Sequence, residues 1–181
     1  MRYRFMGAPL LWAGVVLALL LAGCVTQPEV YAPPMQRKPA AGPDTSRLKH
    51  FVAMNDAAAD DHILRDINRA VEGGTWRWTG PKPTLRLVLP KTRNLRFVMD
   101  FSISGETMRQ TGPLTIIFYV NGHVLETVKY DSAGEKHFEK PVAASWLYAG
   151  DNVVSAELDK VFIAGDGARL GVVLARAGFR D

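Results

Sequence analysis

The sequence predicts an all-β fold: an antiparallel β-sandwich or jelly roll of seven or eight strands, preceded by one N-terminal amphipathic helix. Three observations carry this. Apolar residues alternate with polar ones over Asn94–Ile103 and again over Leu114–Val120. Asn121-Gly122 follows the second run at once, the pair favoured by a two-residue type I′ hairpin turn. Turn residues then recur at short intervals to the end of the chain.

The elements follow in order. Over Asp56–Glu72, Ile63, Leu64, Ile67 and Val71 share one helical face and Asp60, Asp61, Arg65 and Asp66 lie largely off it; acidic residues crowd its start and Gly73-Gly74 ends it. Such a helix beside β-rich chain is expected to cover a sheet edge or an open barrel end. Strands are expected at Thr75–Thr79 and Thr84–Leu89. In Asn94–Ile103, Leu95, Phe97, Met99, Phe101 and Ile103 point one way and Arg96, Asp100 and Ser102 the other. Leu114, Ile116, Phe118 and Val120 line one side of the next strand, and Val124–Tyr130 returns beyond the turn. Lys136–Lys140, Asn152–Leu158 and Leu170–Phe179 complete the set. There is no internal repeat and no sign of a second globular domain.

Of 181 residues, 22 are basic and 18 acidic, but Arg2 and Arg4 precede the first apolar run; without residues 1–23 the balance is 20 to 18. So small an excess argues against nucleic acid as a partner. The start, MRYRFMGAPLLWAGVVLALLLAGC, has the layout of a secretory signal. Its end, Leu21-Ala22-Gly23-Cys24, resembles the lipobox of bacterial lipoproteins at all four positions. The resemblance implies a signal peptide at 1–23, acylation of Cys24, and a membrane contact through acyl chains, each buried methylene contributing about 0.8 kcal/mol. Val25 in place of aspartate favours the outer membrane, in a cell that has one. From 24 to 47 the chain is a proline-rich tether, with Pro28, Pro33, Pro34, Pro39 and Pro43. A helical N-terminal segment at 48–74 and a β-sandwich at 75–181 follow.

Catalytic patterns are missing from the sequence. His50, His62, His123 and His137 lack metal-ligand spacing, no GxSxG elbow occurs, and acylated Cys24 is no nucleophile. Gly165-Asp166-Gly167-Ala168-Arg169-Leu170-Gly171 has glycines misspaced for a dinucleotide loop and leads into a strand, so it reads as an inter-strand turn. No metal, cofactor or catalytic residue is expected. The ligand candidates are Trp76 and Trp78, at i and i+2 and hence on one strand face, with Arg77 on the other. Exposed, the two indoles would stack on sugar rings; buried, they would be core or lie beneath the helix. Arg77, Asp159, Asp166 and Arg169 either form a charge network at strand ends or present polar groups to a ligand.

Glu72–Thr79 with its Arg77-Trp78-Thr79, the Asn121-Gly122 hairpin, Leu158-Asp159-Lys160 and Asp166–Val172 with its Arg169-Leu170-Gly171 together resemble the β-jelly-roll domains appended to bacterial glycosyltransferases and methyltransferases. Those domains are similar in shape to carbohydrate-binding modules. The resemblance spans about residues 62–181 and implies a non-catalytic sandwich; here a lipid anchor is expected in place of a transferase. Two functions are therefore expected as alternatives. The domain binds a glycan or other envelope component through Trp76, Arg77, Trp78, Asp166 and Arg169, or it docks to a protein partner in an envelope or polysaccharide-export assembly.

Overall fold

A computed structural model describes residues 47–181. The leader, Cys24 and the tether up to residue 46 lie outside the described residues. The domain is built from antiparallel strands: β1 (Phe51–Ala53), β2 (Ile63–Ile67), β3 (Arg77–Leu89), β4 (Arg96–Ile103), β5 (Leu114–Val120), β6 (His123–Tyr130), β7 (Gly134–Pro141), β8 (Gly150–Leu158), β9 (Phe162–Ile163), β10 (Arg169–Leu170) and β11 (Val173–Arg180). Two short helices, α1 (Ala59–His62) and α2 (Gly105–Thr111), lie in the connections.

The strand order β6-β5-β8-β3-β11-β4-β7 wraps into two layers, with β1 added to β11 and β2 added to β3. β3 belongs to both layers. Its Thr84–Leu89 half pairs with β8, while Arg77 and Trp78 pair with β11. The change falls around Pro81 and Pro83, which cannot donate to a ladder. At the far ends of the path, Lys140 of β7 forms an ion pair with Glu126 of β6.

The alternation read over β4 and β5 is observed. Leu95, Phe97, Met99, Phe101 and Ile103 are buried, as are Leu114, Ile116, Phe118 and Val120. Phe118 of one layer stacks on Phe138 of the other with ring centroids 3.7 Å apart, and Phe97 meets both Phe138 and Phe179. Apolar burial on both inner faces holds the layers together, each large side chain contributing about 1.5–3 kcal/mol. Asn121 and Gly122 both have positive φ (49° and 82°), as a type I′ turn requires.

The helix expected over Asp56–Glu72 is corrected by the structure: only Ala59–His62 is helical, and Ile63–Ile67 is strand β2. Leu64 and Val71, assigned to a buried helical face, are exposed. The spacing of Ile63, Ile67 and Val71 is even, so it fits a strand as well as a helix. The free edge of β3 decides the matter, because β2 satisfies its backbone groups through Ile63↔Leu85, Arg65↔Thr84 and Ile67↔Thr79, with two bulges. Helix α2 has no counterpart among the expected elements. Ser104 caps it by accepting the Thr107 amide, and Gly112 ends it with φ 68°.

The Gly165–Gly171 segment is an inter-strand turn as expected, closed by Ala164 N–H donating to Ala168 O at 2.9 Å between β9 and β10. Gly171 then passes against β3. A Cβ there would lie 2.5 Å from the Gly80 carbonyl oxygen, which restricts the position to glycine.

Candidate ligand-binding groove

The outer face of the β3–β11–β4–β7 layer carries the groove with the richest mixture of chemistry. Strand register explains which residues meet there. Val173 faces Ser102 and Ser102 faces Glu135, forming one row across three strands, which Trp78 flanks opposite Val173. The next row runs from Arg176 to Asp100 to His137. Trp76, just ahead of β3, walls the same groove, whose volume is about 690 Å³. Trp76 is half-buried, pinned by a tight turn in which Glu72 N–H donates to Trp76 O at 2.8 Å.

The floor is charged and ordered. Asp100 accepts from His137 Nδ1 at 2.5 Å on one oxygen and from Arg176 Nε on the other. His137 Nε2 lies 3.1 Å from Glu139, which also pairs with Arg96. Partial burial opposes ionisation of Asp100, but the His137 and Arg176 hydrogen bonds outweigh it and hold the carboxyl below its usual range. Hydrogen bonds to Asp100 and then Glu139 raise His137 above the ordinary imidazole value. The arrangement offers an indole wall beside fixed donors and acceptors, suited to a ring with an apolar face and hydroxyl edges.

The five expected ligand residues do not share this groove. Trp76 and Trp78 meet edge to face with centroids 6.0 Å apart, and both are half-buried, neither open platforms nor core. Trp78 and Arg169 line a smaller groove of about 300 Å³ with Asn68 and Gly80. Arg77 does lie on the opposite side of the strand from the indoles, but that side is the interior. It is 4% exposed, donates Nε–H to the Met54 carbonyl at 2.7 Å, and pairs with Asp60 at 2.5 Å. Asp166 accepts the Ala168 amide in its own turn, and Asp159 accepts the Thr115 amide. A charge network joining Arg77, Asp159, Asp166 and Arg169 does not form.

Asp100, His137, Glu135 and Arg176 are a group that the sequence does not mark. Outward alternation on β4 identifies Asp100 and Ser102 as solvent-side residues, but only the pairing of β4 with β7 and β11 brings the others to them.

No protein-family model matches this chain, and no curated protein matches it. Among solved structures it is similar to a family 35 carbohydrate binding module from an environmental isolate (TM-score 0.43, 12% identity, 74% of this chain and 88% of that one). It is also similar to the family 35 module from Clostridium thermocellum (0.39, 14%, 72% and 98%) and to CBM35 from Paenibacillus barcinonensis (0.35, 13%, 74% and 91%).

Proposed function

We propose that the domain is a non-catalytic saccharide-binding module of an envelope lipoprotein, held at the membrane through acylated Cys24. The observation that supports the binding role is the Trp76 groove. An indole stands beside a floor of Asp100, His137 and Ser102, and the first two are held in place by Arg176, Glu139 and each other. A preorganised polar floor lowers the ordering cost of binding hydroxyls, and the indole supplies contact area with few rotors to immobilise. Trp78, in edge contact with Trp76, carries the aromatic surface on toward Arg169, which suits a chain of several sugar rings rather than a single one.

Two experiments test this. Pull-down on cell-envelope polysaccharide is expected to retain the wild-type chain and lose Trp76→Ala at unchanged thermal midpoint; equal retention of both contradicts the binding role. For the anchor, radiolabelled palmitate is expected in the wild-type chain and absent from Cys24→Ser. Label that persists in Cys24→Ser contradicts it.

A further inference from the structure

The other layer of the sandwich has an outer groove of its own, about 490 Å³, which the saccharide reading does not use. Register again builds it. Arg65 of β2 faces Thr84 of β3, Thr84 faces Ser155 of β8, and Ser155 faces Tyr119 of β5. A guanidinium, two hydroxyls and a phenol thus stand in one row across four strands. Lys82 lies one outward position before Thr84 on β3, with Nζ 5.0 Å from the Tyr119 ring centroid. Arg86 lies one outward position after it, opposite Val153, which lines the groove.

Charge and free hydrogen-bonding capacity narrow the occupant. Lys82 is paired with Glu157. Asp66 lies 4.0 Å from Arg65 Nε, but it lines the small groove beside Trp78, and one of its oxygens accepts the Lys82 amide. Among the described residues the Arg86 side chain has no ion pair and the Ser155 hydroxyl no hydrogen bond, while the Thr84 hydroxyl donates to the Lys82 carbonyl at 2.9 Å and keeps only its acceptor capacity. Arg65, Lys82 and Arg86 against Glu157 and Asp66 leave one positive charge in excess beside the Ser155 and Thr84 hydroxyls. A phosphomonoester presents three acceptor oxygens, enough for Arg65, Arg86 and Ser155 to donate at once, whereas a carboxylate presents two.

We propose that this groove binds a phosphorylated sugar, with Arg65 and Arg86 on the phosphate, Ser155 donating to an oxygen of the phosphate or ring, Thr84 accepting from a ring hydroxyl, and Tyr119 beside the ring. The site lies on the opposite layer from the Trp76 groove, so the two surfaces act independently and a single domain carries both.

The test is calorimetric titration of the full-length chain in neutral detergent with glucose 1-phosphate, glucose, glucuronate and inorganic phosphate. Titrated into the Trp76→Ala chain, so that the other groove does not contribute, glucose 1-phosphate is expected to bind, glucose not to bind, and glucuronate and inorganic phosphate to bind at least about tenfold more weakly. Arg65→Ala and Ser155→Ala are each expected to weaken glucose 1-phosphate about tenfold at unchanged thermal midpoint, with Arg86→Gln as the third variant should one of them unfold. Trp76→Ala is expected to leave this binding unchanged, whatever it does to polysaccharide. Absence of glucose 1-phosphate binding overturns the proposal, as does equal binding of glucuronate or inorganic phosphate. Full affinity in the folded variants of this groove, or loss of affinity in Trp76→Ala, overturns it too.

Discussion

Replacing Arg77 by methionine separates a structural arginine from a ligand-binding one. The guanidinium is buried and makes two charge-assisted bonds, to the Met54 carbonyl at 2.7 Å and to Asp60 at 2.5 Å. Each such bond contributes about 1.5–3 kcal/mol where fully desolvated. The Asp60 side chain is 44% exposed, so its share is discounted to about 1 kcal/mol. Methionine also strands the Met54 carbonyl, at about 1–3 kcal/mol, while relief of guanidinium desolvation acts in the other direction. The net expectation is a loss of about 2–4 kcal/mol for Arg77→Met and of about 1 kcal/mol or less for Asp60→Asn, which keeps an acceptor oxygen. Equilibrium urea denaturation reads both as a shift of midpoint at constant slope. Stability of Arg77→Met within about 0.5 kcal/mol of wild type, or loss of polysaccharide binding without loss of stability, refutes the structural assignment.

Two further outcomes follow from packing and from buried or paired imidazoles. Gly171→Ala puts a methyl 2.5 Å from the Gly80 carbonyl oxygen and 2.8 Å from Thr79 Oγ1. It is expected to cost about 3 kcal/mol by urea melting, whereas Gly165→Ala, with open space around its Cβ, is expected to be close to neutral; equal effects contradict the close approach. His62 is fully buried, Nε2 accepting the Lys49 amide at 3.3 Å and Nδ1 donating to the Arg86 carbonyl at 2.8 Å. Burial lowers its pKa below the ordinary 6.5, so the unfolded chain takes up the proton more readily. Its contribution is therefore complete above pH 6.5 and lost as pH falls below that value, at up to about 1.4 kcal/mol per pH unit. His137 has the opposite sign: its raised pKa gives stability that is complete below 6.5 and fades as pH rises through its native value. Melting curves of His62→Gln and His137→Ala across pH are expected to lose the acid-side and alkaline-side slopes respectively, and an unchanged profile in either variant contradicts its assignment.

The legible parts of the fold are those where one local signal excludes its competitors. Strands β4 and β5 alternate at a period that no helix reproduces, and Asn121-Gly122 supplies the positive φ of its turn from residue type alone. Strand β2 reads as helix because Ile63, Ile67 and Val71 fall at spacings shared by both periods, and the deciding partner, the edge of β3, lies many residues downstream. At Trp76-Arg77-Trp78 the parity is legible and the direction is not. Alternation separates the indoles from the guanidinium, but only Asp60 and the Met54 carbonyl make burial of the guanidinium tolerable. The groove floor is hidden for the same reason: Asp100, His137 and Arg176 are neighbours through register, which is a property of three strands at once.

The affinity of the Trp76 groove for envelope polysaccharide, titrated for wild type, Trp76→Ala and Asp100→Asn at matched thermal midpoints, tests the binding role most directly. Saccharide binding in this groove predicts measurable affinity in the wild-type chain and a loss of at least about tenfold in both variants, equivalent to about 1.4 kcal/mol each. Wild-type affinity retained in folded Trp76→Ala, or no binding by the wild-type chain, contradicts it.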